Sequence, residues 1–173
     1  ALVFKAPIDS EKKYVAVKLL SSILSSGYLW NVVRGCNGAY GVECHLDTME
    51  KLLVFSSYRD PEIEKTLAIY LESLKQEVDP SEIEYAVVTT IGKELKPLTP
   101  QASCNEAFNR VLYKKSTALY LRRRKLLLEL KKHDLEEIAQ ELVEECKNCS
   151  VTVVCGAEQA KNLKSIRSIA LPL

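Results

Sequence analysis

The chain has 173 residues, with 24 Lys and Arg against 23 Asp and Glu, for a net charge of +1. That length suits one domain whose core needs no disulfide staples, and the balanced charge excludes a global field for nucleic acid or an anionic membrane. No apolar run reaches the roughly 18 residues that cross a bilayer, and no basic-then-apolar leader opens the chain. We therefore expect a protein without a membrane or nucleic-acid partner. Ala1 opens an apolar stretch with no initiator Met, which suggests a fragment cut from a longer protein.

In chain order, Ser10 precedes a segment in which Tyr14, Val17, Leu20 and Leu24 recur at helical spacing, and Gly27 punctuates it before a short stretch through Trp30 and Val33. From Tyr40 to Leu46 the residues alternate, with Tyr40, Val42, Cys44 and Leu46 on one face and Gly41, Glu43, His45 and Asp47 on the other. A polar turn leads into the apolar run Leu52 to Tyr58, so the two runs predict an antiparallel hairpin with a central second strand. Asp60-Pro61 reads as an N-cap and N1 proline for a helix burying Ile63, Leu67, Tyr70, Leu71 and Leu74. Asp79-Pro80 repeats the device, and Glu82 completes a capping box before Ile83, Ala86, Val87 and Ile91. After Pro97 and Pro100 come helices over roughly 101–113 and 119–130, and a third after Asp134 with Leu135, Ile138, Leu142 and Cys146 on one stripe. Val151 to Cys155 reads as a returning strand. Strands, a block of helices and a last strand predict an α+β fold.

The run from Gly27 to Gly41 joins a helix end, a tight turn and a strand start around Arg34 and Tyr40. Its Leu29-Trp30, Val33-Arg34, Gly38-Ala39-Tyr40-Gly41 pattern resembles the signature in the C-terminal half of pitrilysin/insulinase-type zinc metallopeptidases, in particular the presequence-protease branch. Ser57-Tyr58-Arg59-Asp60-Pro61 resembles a second run of that family. At one place the chain departs from it: Asn37-Gly38 stands where the family has Gly-Gly, and Asn tolerates left-handed backbone angles best among non-glycine residues.

The resemblance implies a mostly antiparallel sheet with helices on one face, and identifies residues 1–173 as a single C-terminal domain of a larger multi-domain peptidase. It implies a zinc-dependent endopeptidase that degrades short unfolded peptides in a closing chamber. Zinc and its ligands would then lie in the N-terminal half of the same polypeptide, this domain's partner. Arg34 and Tyr40 would serve as catalytic donors to the scissile carbonyl oxygen, where negative charge builds during hydrolysis. Asn37, Gly38 and Ala39 would form the substrate-gripping turn. The residues alone also allow Arg34 to be a cation at a helix C-terminus and Tyr40 an ordinary strand aromatic. A non-catalytic interaction or scaffold member of the same fold is the alternative. The compartment expected is cytoplasmic, or an organellar matrix if the parent carries a targeting segment.

Other constellations are weaker. No His-x-x-Glu-His run occurs, and His45 and His133 lie too far apart in sequence to suggest a zinc pair, so no metal is assigned to this domain. Glu43, His45 and Asp47 share a strand face, which reads as solvated polar surface. Cys146-x-x-Cys149 falls at a helix C-terminus, where the dipole disfavours thiolate, and the six cysteines read as reduced thiols. Arg122-Arg123-Arg124-Lys125 lacks interleaved aromatics and reads as a helix face.

Overall fold

The computed structural model describes residues 1–163. Four strands, β1 (Leu2–Lys5), β2 (Gly41–Asp47), β3 (Leu52–Tyr58) and β4 (Ser150–Val151), form one sheet in the order β2-β3-β1-β4, and every neighbouring pair is antiparallel. The helices are α1 (Glu11–Ser26), α2 (Ile63–Ser73), α3 (Pro80–Leu95), α4 (Pro100–Leu112), α5 (Thr117–Glu129), α6 (Lys132–Glu145) and α7 (Ala157–Asn162). Thus the α+β class, the antiparallel sheet and the interior position of β3 are as expected.

Alternation on the strands builds the core. Leu2 pairs with Phe55, Phe4 with Leu53, and Cys44 with Phe55, so one face of the sheet is a buried apolar ladder. Phe4 and Phe55 stack, and Phe55 meets the ring of Tyr70 from α2. Helix α1 covers this face. It buries Val15, Val17, Leu19, Leu20, Ile23 and Leu24 and touches β2, α3, α5 and α6. Ser10 caps it by accepting from the Lys13 amide. At its far end, Ser25 ties the helix to the sheet: its hydroxyl donates to the Cys44 carbonyl at 2.8 Å and accepts from the Cys44 amide at 2.6 Å. β2 is an edge strand, and this hydroxyl occupies backbone groups that would otherwise be open to another strand.

Three expectations need correction. Asp60 is not the N-cap of α2; Glu62 is, because the Asp60 carboxylate is taken by the Ser57 hydroxyl and the Glu62 amide. The buried stripe of α2 is Thr66, Ile69, Tyr70, Ser73 and the following Leu74, while Leu71 is exposed. Small polar residues face the core there, which a count of apolar positions misses. The predicted strand over 151–155 contracts to Ser150–Val151, which pair with Val3 and Leu2; beyond that ladder Thr152 exchanges two bonds with Ala1, its amide donating to the Ala1 carbonyl at 2.9 Å and its carbonyl accepting from the Ala1 nitrogen at 2.7 Å. Asp79 and Glu82 do form the predicted capping box on α3.

Helix α4 buries none of its residues. Phe108, Val111 and Leu112 lie at the surface, as do Tyr85 and Val88 of α3 and Leu121 and Leu128 of α5. The apolar periodicity of these helices is real, but part of it faces away from this core.

Candidate functional site

The site begins where α1 stops. The Gly27 amide donates to the Ile23 carbonyl, and a Cβ at Gly27 would stand 3.0 Å from that same oxygen, so only glycine fits without a shift. The chain then winds as a π-helix over Trp30–Cys36, anchored by the fully buried side chains of Leu29 and Val33. π-helical turns are rare and frequent at functional sites. The wide turn closes with the Asn37 amide on the Val32 carbonyl at 3.0 Å and the Ala39 amide on the Val33 carbonyl at 3.2 Å.

This winding sets Arg34 over Trp30, with the guanidinium carbon 4.0 Å from the indole ring centre. The Nε of Arg34 donates to the backbone carbonyl of Tyr40 at 3.1 Å. The two residues singled out in the sequence are therefore neighbours. Both side chains are exposed, and a guanidinium and a phenol are suitable donors to an oxygen bearing developing negative charge.

Within the turn, the left-handed residue is Gly38, at φ 80°, whereas Asn37 has φ −93°. The tolerance of Asn for left-handed angles is thus not what the turn uses. Asn37 is buried, and its Nδ2 has no hydrogen-bond partner among the described residues. Ala39 is buried as well, and the amides of Asn37 and Ala39 are spent inside the turn, so of these three residues Gly38 alone is exposed.

The second family-like run belongs to the same site, a relation that sequence reasoning missed when it read Asp60-Pro61 only as a helix start. The Tyr40 amide donates to the Tyr58 carbonyl at 3.1 Å, and Gly41 pairs with Tyr58 in the ladder. A Cβ on Gly38 would lie 3.8 Å from Pro61 Cγ, so the two turns lie side by side. The rings of Tyr40 and Tyr58 meet edge to face at 6.0 Å and 83°. The Arg59 guanidinium carbon stands 5.8 Å from the Tyr40 ring centre and 5.3 Å from that of Tyr58. The available signal was the pairing of the two runs through the predicted hairpin, which brings the start of one strand to the end of the other.

The other candidates go elsewhere. Among the described residues no group of three His, Cys, Asp or Glu side chains could hold a metal ion. His45 Nδ1 and a Glu43 oxygen are 3.5 Å apart, but Asp47 is engaged by the Met49 and Glu50 amides, which hold its carboxyl below the usual range. Among the described residues no site therefore fits the zinc that the resemblance implies. Cys146 is buried and its thiol is pushed up to about 12, first by burial and then by the neighbouring Cys149, the reverse of a reactive thiolate. Within the basic run, Arg123 pairs with Glu11 and lies over the Tyr14 ring, and Arg124 pairs with Glu94. These charges bind α5 to α1 and α3.

Comparison with known proteins agrees with the motif resemblance. A model of the PreP C-terminal domain matches residues 9–158. Presequence protease 1, chloroplastic/mitochondrial, of Arabidopsis thaliana is 31% identical over 128 residues, covering 70% of this chain and 12% of that protein. The mitochondrial presequence protease of Kluyveromyces lactis is 26% identical over 150 residues, covering 82% of this chain and 14% of that protein. The chain thus spans a small part of the length of these relatives. Among solved structures, a protease from Helicobacter pylori superposes with a TM-score of 0.62 at 20% identity, over 81% of this chain and 36% of that one. The peptidase M16 inactive domain from Pseudomonas fluorescens gives 0.63 at 18% identity, over 81% and 36%. At those identities the likeness is one of fold. With the family model matched from residue 9 to residue 158, this chain belongs to the PreP C-terminal domain family.

Proposed function

We propose that this domain is the zinc-free, donor-supplying part of a zinc-dependent endopeptidase that cleaves short unfolded peptides. In this reading Arg34 and Tyr40 hydrogen-bond to the scissile carbonyl oxygen as it gains charge, and Gly38 with its neighbouring backbone lies along the substrate chain. The observation that carries the reading is the Arg34 Nε bond to the Tyr40 carbonyl, which couples the two donors through one turn. Arg34 spends one N–H on that bond, and no other acceptor contacts its guanidinium among the described residues. Stacking on Trp30 orders the group without consuming its remaining donors.

The catalytic metal, its ligands and the general base belong, on this proposal, to the N-terminal half of the same polypeptide, and closure of a chamber brings the halves together. The exposed apolar residues Val88, Phe108, Val111 and Leu121 support contact with other parts of that polypeptide. Among the described residues no helix is long and apolar enough to cross a membrane. Of the two settings expected, cytoplasmic and organellar matrix, the chloroplastic and mitochondrial relatives favour the organellar one.

The rival reading is a non-catalytic scaffold of the same fold. Steady-state hydrolysis of a short unstructured peptide by the full-length protein separates the two. Tyr40→Phe should lower kcat by roughly 10²-fold, the scale of losing one oxyanion donor. A full-length protein with no peptidase activity would put the scaffold reading in front.

A further inference from the structure

Arg59 has φ 50°, in the left-handed region that a long side chain adopts at a cost. Lys51 and Lys114 share that conformation among the described residues, at φ 56° and 51°. Lys51 closes the β2–β3 hairpin, and Lys114 follows the end of α4, where a reversal of the chain explains the angle. Arg59 differs because its side chain is engaged at the candidate site. Its guanidinium reaches both the Tyr40 and Tyr58 rings, while the rings hold each other edge to face.

The backbone that aims it is fixed on both sides. The Ser57 hydroxyl donates to Asp60 Oδ2 at 2.8 Å, and the Glu62 amide donates to Asp60 Oδ1 at 2.9 Å, so Asp60 clamps the turn that carries Arg59. Tyr40 needs such a partner. It is 66% exposed, and an exposed tyrosine visits several rotamers unless neighbours hold it. A donor that must be ordered during the reaction loses part of its benefit, whereas one held in place beforehand does not.

We propose that Arg59 is a positioning residue for Tyr40: its guanidinium, aimed by the Ser57–Asp60–Glu62 turn, forms a three-way cluster with the Tyr40 and Tyr58 rings and braces the Tyr40 ring against Tyr58, so that the phenol presents one orientation to the substrate carbonyl. The proposal rests on the reading that Tyr40 acts on the substrate. It assigns the Ser-Tyr-Arg-Asp-Pro run a task beyond starting α2.

The backbone angle supplies a clean test in the full-length protein. Arg59→Gly removes the guanidinium at a position where glycine is unstrained, so the melting temperature should stay level or rise. With a short unstructured peptide as substrate, kcat should fall by about tenfold to a hundredfold, the range for a misplaced catalytic group, while KM changes little. Arg59→Asn, which also tolerates the left-handed angle, should behave alike, and Arg59→Lys should recover part of the rate. In a Tyr40→Phe background, Arg59→Gly should cost nothing further, because there is no phenol left to position. A full additional loss in that background, or a wild-type kcat for Arg59→Gly while Tyr40→Phe is slow, overturns the role of Arg59 alone. A wild-type kcat for Tyr40→Phe overturns the reading of Tyr40 itself, and the positioning role with it.

Discussion

Removing the Ser25 hydroxyl should detach the edge of the sheet from α1. That hydroxyl serves both backbone groups of Cys44, accepting its N–H at 2.6 Å and donating to its carbonyl at 2.8 Å. Cys44 is buried, so water does not readily replace the lost partner. Leaving one buried backbone group unsatisfied costs about 1–3 kcal/mol. Two groups, with part relieved by small movements of an edge strand, give about 2–4 kcal/mol. Alanine is the better helix former by about 0.5 kcal/mol. The net destabilisation expected for Ser25→Ala is therefore about 1.5–3.5 kcal/mol, measured by urea unfolding followed by circular dichroism, with the slope unchanged. Ser26→Ala is the internal control. The Ser26 hydroxyl bonds only to the Ser22 carbonyl one turn back, on the exposed side, so its loss should change stability by no more than about 0.5 kcal/mol. If Ser25→Ala and Ser26→Ala unfold at the same urea concentration, the argument that one hydroxyl secures β2 is wrong.

Asp134 is buried, yet its carboxyl lies below the usual range: burial pushes it up, and the Lys12 ammonium at 2.6 Å, the Lys131 amide at 2.8 Å and His133 at 3.3 Å outweigh that. A depressed carboxyl stabilises the fold above its unfolded value near about 4, and the contribution fades as pH falls through the folded value. Asp134→Asn should cost about 1–3 kcal/mol at pH 7, and the gap to wild type should close below about pH 4; a gap that persists there refutes the ion pairing. Thr66 is buried in α2 with no partner for its hydroxyl among the described residues, so Thr66→Val should leave stability level or raise it by about 1 kcal/mol. A melting temperature lowered by several degrees would show that the hydroxyl has a partner. Gly38→Ala forces a side chain to φ 80° and should cost about 1–2 kcal/mol, while Gly41→Ala, with open space around the new methyl, should be near neutral; equal effects in denaturant unfolding would show that the turn relaxes.

The sequence made most of the fold legible because its signals were local. Alternation from Tyr40 to Leu46 and the apolar run to Tyr58 gave the hairpin, and Asp79-Pro80 with Glu82 gave the start of α3. What escaped depended on contacts between distant segments. Asp60 looked like a cap because Asp-Pro usually is one, and only the folded turn shows its carboxylate spent on Ser57 and Glu62. Leu71 and Leu67 drew the stripe of α2 toward leucine, whereas Thr66 and Ser73 face the interior. At the site, the spacing of Arg34 and Tyr40 was visible in sequence. The π-helical winding that stacks Arg34 on Trp30 was not, since it follows from burying Leu29 and Val33 together. Asn37 matched a left-handed position by type, but Gly38 takes that position and Asn37 turns inward.

In the function proposed above, this domain contributes donors to a peptidase reaction whose metal lies elsewhere in the polypeptide. Turnover of a short unstructured peptide by full-length Arg34→Ala, with bound zinc measured in the same sample, tests it most directly. Zinc content should be unchanged and kcat lowered by roughly 10²–10³-fold, as expected for losing one preorganised donor. Unchanged turnover would contradict that function, as would a loss of activity that simply follows a loss of zinc.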